Sequence, residues 1–224
     1  MLHFASVMSG SFLSGYVVTE TLLSRRPARG SLLVAAASVA LLLLGSLVYW
    51  TNALGLARFL PASREAVFER SEYFRLFTSI VAHADLEHFA ANALVFGFLA
   101  FLLYGYYGAL VFPVLSIANG ALTTALSLTT YEPDTNLVGA SGVVYWMFGF
   151  WLSVYLLVER RVGLGKRILR ALGFSLIVLI PTVLKPEVSY RAHAIGFGLG
   201  VAVGLAYFAA RKSTLRAAER MEIE

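Results

Sequence analysis

Six stretches of apolar sequence dominate this chain, at roughly residues 31–50, 88–104, 107–128, 138–158, 168–184 and 190–210. Each is close to the ~20 residues that an α-helix needs to cross a hydrocarbon core of ~30 Å. Inside that core no water is present to satisfy backbone N–H and C=O groups, so such segments must be helical and must bundle. The composition agrees, with 58% hydrophobic and only 14% charged residues among the 224, where a soluble domain carries about 25% charged. The expected fold is therefore all-α, a polytopic bundle of six transmembrane helices with a long interfacial loop after the first span. The sequence has no cysteine, which excludes disulfides, thiolate nucleophiles and Cys-based metal sites.

The charges sort by side. Twelve of the 18 Lys and Arg residues flank the first span on its N-terminal side, join the fourth and fifth spans, or follow the sixth. The alternate connections hold the other six basic residues and eight of the 13 acids. The positive-inside rule then predicts cytoplasmic termini. The formal charge of +5 reads as topology rather than as a nucleic-acid footprint. The expected organisation is a cytoplasmic or interfacial segment over 1–30, a membrane domain over 31–210 and a basic cytoplasmic tail over 211–224. Residues 1–24 lack the basic start of a secretory signal peptide and read as interfacial or loosely ordered. A seventh span is the alternative there. The loop 51–87 alternates charged with apolar residues, as helices lying in the interface do. Asp85 is a candidate N-cap for the second span, with Glu87 in its first turn. KPEVS at 185–189 reads as a turn between the last two spans.

Polar residues inside spans are costly and default to functional hypotheses. In HFAAN, His88 and Asn92 share a helix face, and His83 stands just before the span. An interhelical hydrogen bond is the plain reading. A metal held by His83, His88 and His193 is another, although no carboxylate joins them and the spacing is not HExxH. In AHAIGFGLG, His193 shares a face with Gly196 and Gly200, a small-residue stripe that lets a neighbouring helix approach. In LVGASGVVYW, Ser141 lies between Gly139 and Gly142, with Tyr145 and Gly149 continuing its face. A lone serine here would be expected to bond back to the preceding turn. Asn119 in the third span reads as a helix-packing hydrogen bond.

Together these residues suggest more. A serine hydroxyl becomes nucleophilic only when a base takes its proton, and imidazole is the usual base. A histidine on a glycine-lined helix can come within reach. Acyl transfer also needs donors for the developing oxyanion, which the Asn92 amide, a His88 ring N–H and the Ser141 backbone N–H could supply.

GASG (139–142), HFAAN (88–92) and AHAIGFGLG (192–200) stand in the order and on the spans of the rhomboid intramembrane serine proteases, which this sequence resembles over about residues 31–210. EYFR at 72–75 is similar to that family's acidic-aromatic-Arg element, with Phe74 where Trp is usual. The resemblance implies a Ser141–His193 dyad without an acid partner. It implies an oxyanion hole of His88, Asn92 and the Ser141 backbone, with Tyr145 packed on the catalytic histidine. It also implies that Arg75 organises the first loop, and that the fifth span and the loop 185–189 open for substrate. Transmembrane proteins would be the substrates, cut near a helix end from the non-cytoplasmic side, with no cofactor and no metal.

A prokaryotic plasma membrane is the expected location, since no Arg-rich amphipathic transit peptide is visible. The bilayer is the only other partner implied, and the oligomeric state is not legible. A catalytically silent rhomboid-like protein that binds or escorts membrane proteins is the alternative function. A transporter or channel would need a charged pathway or paired broken helices, and the spans carry few charges.

Overall fold

A computed structural model describes residues 15–179 and 189–223. The chain is a helical bundle. Helix α1 (Ser31–Thr51) leads into short helical turns at Ala53–Phe59 and Glu65–Glu69 and then α2 (Arg75–Val81). There follow α3 (Leu86–Tyr107), α4 (Ser116–Leu128), α5 (Ser141–Val158), α6 (Leu164–Leu179) and α7 (Tyr190–Ala217). Among the described residues five helical segments are long and apolar enough to cross a membrane: α1, α3, Leu110–Leu128 (which contains α4), α5 and α7. The described part of α6 covers much of the expected fifth span. The rest of that span and nearly all of the 185–189 turn lie outside the described residues.

Local sequence sets the boundaries. The Asp85 carboxylate accepts the His88 N–H at 2.7 Å and caps α3, satisfying one of the helix's free first-turn donors. The Ser189 hydroxyl caps α7 by accepting the Ala192 N–H at 3.2 Å. Leucines on the outer faces, such as Leu32, Leu33, Leu94 and Leu172, remain exposed, as side chains facing lipid do. The core lies around α5, whose Trp146, Met147, Phe150 and Val154 are all fully buried.

The start of α1, the C-terminal ends of α3, α5 and α7 and the N-terminal end of α6 gather at one end of the bundle. The Ala28 N–H bonds the Gly105 carbonyl, the Arg25 guanidinium the Ala218 carbonyl, and Arg160 the Glu219 carboxylate. All twelve basic residues assigned to one side by sequence belong to these segments. Residues 1–24 were expected to be interfacial or loosely ordered. Within them Tyr16–Glu20 forms a strand, β1, paired antiparallel with β2 (Arg220–Ile223). Helix α7 continues past the expected end of its span, to Ala217.

At the opposite end the loop 51–87 folds over the helix ends around Arg75, which is only 7% exposed. Its guanidinium pairs with Glu72 and donates to the carbonyls of Arg58 and Pro61 at 2.8 and 2.9 Å. Arg75 also holds the Glu72 carboxyl below the usual range through their hydrogen bond. Phe74 lies against the same guanidinium, 5.5 Å from ring centre to Cζ. This loop is joined to residues 129–138 through the paired backbones of Ala62 and Leu137 and the bond from the Glu65 N–H to the Pro133 carbonyl.

Candidate active site

Helices α5 and α7 approach more closely than ordinary side chains permit. A Cβ added to Gly196 would lie 2.5 Å from the Gly142 carbonyl, and one on Gly149 would lie 2.4 Å from the Phe197 carbonyl. Lower down, a Cβ on Gly200 would lie 2.1 Å from the Trp146 carbonyl. Gly204 extends the stripe by another turn, against the Ser153 hydroxyl. Gly196 and Gly200 were expected from sequence to form this stripe, and Gly204 continues it at the same spacing. This register sets the upper part of the site. Gly142 meets Gly196, so Ser141 and His193 lie at the same end of the helix pair, at the mouths of α5 and α7.

His193 is 5% exposed, and its ring is held by aromatic contacts. Tyr145 stacks on it with centroids 3.9 Å apart and planes at 11°, and Tyr190 meets it edge-on at 6.3 Å. The start of α7 is tied to the loop 129–138. The Tyr131 and Ser189 hydroxyls are 2.8 Å apart, and Arg191 bonds the Thr130 carbonyl while lying over the Tyr131 ring. The Ser141 hydroxyl makes no hydrogen bond among the described residues. It is not back-bonded into its helix, because it occupies the first helical position of α5. A cavity of about 30 Å³ lined by Ser79, Thr124, Gly139, Ser141 and Ser189 is large enough for a water molecule and polar enough to hold one.

The strand leading to Ser141 is fixed by histidines. Gly139 has φ +120°, a conformation that favours glycine. It also lies against His88: an added Cβ would be 2.8 Å from Cε1 and 3.0 Å from Nε2 of that ring. The Gly139 N–H donates to the Ser79 carbonyl at 2.9 Å, and the Ala140 N–H donates to His83 Nε2 at 3.2 Å. Since Nε2 accepts, the proton sits on Nδ1, which faces the Ser46 hydroxyl at 3.0 Å; Ser46 in turn donates to the Leu42 carbonyl. Trp50 Nε1 donates to the His83 carbonyl at 2.7 Å. Helix α1 thus braces the turn before Ser141 through His83. His83 is visible in the sequence beside the HFAAN span, whereas Ser46 and Trp50 carry no chemical signature there and are joined to it only by the fold. Both ring nitrogens of His83 are engaged with protein partners, and no group of three His, Asp or Glu side chains close enough to hold a metal occurs among the described residues.

Asn92 is buried on α3, one turn from His88, and its Nδ2 donates to the His88 carbonyl at 2.9 Å. One amide hydrogen remains for another acceptor. Asn119 was expected to bond across helices. Its Nδ2 instead donates to the Leu115 carbonyl of its own helix, at 2.9 Å, the local bond that a short amide makes more readily than one across helices.

Burial pushes the His83 imidazole down to about 3, with His88 adding to the shift and Asp85 opposing it. The unfolded chain therefore binds a proton at this residue between about pH 6.5 and 3 that the folded chain does not. Stability from this group is complete above pH 6.5 and falls as pH drops through that window. A proton on Nε2 would also turn the acceptor of the Ala140 N–H into a second donor. Thermal unfolding in detergent at pH 7 and pH 4.5 should show a loss to which His83 contributes about 2–3 kcal/mol, so the loss should be smaller by about that amount in His83→Gln. An equal loss in the variant would place the titration elsewhere.

A family model, the Rhomboid domain, matches residues 70–210. Rhomboid-related protein 2 of Mus musculus is 28% identical over 159 residues, covering 66% of this chain and 52% of that protein. "Putative rhomboid protease YdcA" of Bacillus subtilis is 26% identical over 127 residues, covering 56% of this chain and 62% of that protein. The chain spans between about half and three-fifths of the length of these relatives.

Proposed function

The chain belongs to the rhomboid family, and on that premise we propose that it is an intramembrane serine endopeptidase. It cuts peptide bonds in or next to transmembrane segments of membrane proteins. The observation that carries the reading is the stacked Tyr145–His193 pair beside the mouth of α5, where Ser141 begins the helix.

His193 takes the Ser141 Oγ proton as Oγ attacks the scissile carbonyl carbon. The carbonyl oxygen becomes an oxyanion, stabilised by the Ser141 N–H, a ring N–H of His88 and the free amide hydrogen of Asn92. His193 then gives its proton to the leaving amine, and an ester to Ser141 remains. Water, deprotonated by His193, attacks that ester; the acyl carbon–Oγ bond then breaks, His193 returns the proton to Ser141 Oγ, and the new carboxylate leaves. The Ser141–His193 hydrogen bond forms once substrate is bound, since catalytic hydrogen bonds are often completed only in the substrate complex. In a soluble triad an acid fixes the histidine ring; here the Tyr145 stack does so. Tyr145→Ala should lower kcat by about tenfold or more with little change in KM, measured on a transmembrane reporter. Unchanged kcat would remove this role.

The basic end of the bundle faces the cytoplasm by the positive-inside rule, which puts both termini there and opens the site to the opposite side. Polar residues of loop 129–138 and the small cavity beside Ser141 give water a route to the ester. A prokaryotic plasma membrane is the proposed location.

The unbonded Ser141 hydroxyl favours a second reading, a silent rhomboid-like protein that binds membrane proteins without cutting them. Purified protein in liposomes, incubated with transmembrane reporters and analysed by mass spectrometry, separates the two. A single cut near the helix end of a reporter supports the protease. Intact reporters that co-purify with the protein support the binding role.

A further inference from the structure

At the basic end of the bundle lies a second cavity, of about 440 Å³, far from Ser141. Its walls include Leu22, Arg25, Tyr106, Tyr207, Arg211 and Thr214. No acid lines it. The described acids at this end are already engaged: Glu159 pairs with Arg161, Glu219 with Arg160 and Arg216, and Glu20 and Glu222 with Arg220. Arg25 and Arg211 have no acidic partner among the described residues, and Arg25 spends one hydrogen bond on the Ala218 carbonyl. Two guanidinium groups and the Thr214 hydroxyl therefore share a cavity floored by leucine and tyrosine.

Its depth in the membrane follows from helix length. Helix α7 has 28 residues, about 42 Å at ~1.5 Å per residue, while the hydrocarbon core is ~30 Å thick. Its last turns, with Arg211 and Thr214, stand in the headgroup layer. On the α1 side, Leu32 and Leu33 are each 73% exposed in the first turn and mark where hydrocarbon begins. Arg25 stands in the non-helical segment before α1 and lines the same cavity as Arg211.

We propose that this cavity binds the phosphodiester headgroup of an anionic phospholipid, with Arg25 and Arg211 as its phosphate ligands. Thr214 donates the third hydrogen bond, and the tyrosine and leucine walls pack against the glycerol and the upper acyl chain. A lipid held there ties the segment before α1 to the end of α7. Basic pockets between helices at a membrane surface recognise headgroups in this way, and arginine matches phosphate with paired donors.

Native mass spectrometry of the purified full chain, equilibrated with equal amounts of phosphatidylglycerol and phosphatidylcholine, tests this. One phosphatidylglycerol should be retained in preference. Arg25→Gln with Arg211→Gln should lower its retention about 25-fold, at about fivefold per arginine. Arg29→Gln with Lys212→Gln removes the same charge outside the cavity and should leave retention unchanged. Thr214→Trp keeps both arginines but fills the cavity, and should also abolish retention, which covers the case in which the arginine pair does not fold. Equal retention of the two lipids would overturn the proposal. So would equal loss in the two pairs of variants, which would mean diffuse attraction. Displacement of the lipid by inorganic phosphate at comparable concentration would assign the cavity to a soluble anion instead.

Discussion

Ser141→Ala and His193→Ala should each lower cleavage of a transmembrane reporter by roughly 10⁴-fold or more, and the double variant should be scarcely worse than either. The two residues act as one unit. Without His193 the Ser141 hydroxyl keeps its proton, and without Ser141 the imidazole has no proton to take. His88→Ala and Asn92→Ala should cost less, about 10²–10³-fold each, because losing one oxyanion donor leaves the others in place. Initial rates in liposomes at matched protein concentration, with circular dichroism as a check on folding, give the comparison. Independent multiplication of the Ser141 and His193 losses would mean that the two side chains do not share a step.

Gly200→Ala should destabilise the protein by about 2–3 kcal/mol, as overpacking a tight contact does, while Gly198→Ala on the same helix should be neutral or slightly stabilising. The methyl group on residue 200 would lie 2.1 Å from the Trp146 carbonyl oxygen and 2.9 Å from the Phe150 nitrogen. Both are backbone atoms of α5, so no rotamer change relieves the contact and the helices must part. At Gly198 a Cβ meets nothing within 4 Å, and alanine has the better helix propensity by ~1 kcal/mol. Separating the helices would also draw His193 and Tyr145 away from Ser141, so activity should fall together with stability. Thermal unfolding of the two variants in the same detergent measures the difference. Equal shifts would mean that close approach does not hold α5 against α7.

Periodicity and charge made the bundle readable before its structure. Apolar segments of bilayer length can do little but span, and the basic residues sort to the end where the structure gathers them. The polar positions were readable for the same reason: a serine, an asparagine and two histidines stand out against leucine and valine. What was hidden is what depends on long-range contact. Nothing in SLVYW announces that Ser46 and Trp50 reach His83, or that His83 then holds the Ala140 N–H. The β1–β2 pair joins segments about 200 residues apart, and the alternating, β-branched YVVTE was its only local sign. Asn119 was misread because sequence does not distinguish an amide bonding across helices from one bonding back along its own. The cavity at Arg25 and Arg211 was equally hidden, since it exists only where the segment before α1 meets the end of α7.

Whether Ser141 is an activated nucleophile can be measured without knowing the substrate. Wild-type protein and His193→Ala, in detergent, are treated with a fluorophosphonate probe, and the adduct is located by peptide mass spectrometry. A single adduct on Ser141, lost when His193 is replaced, is the expected result. No adduct on Ser141, or one that forms as fast without His193, would contradict the dyad.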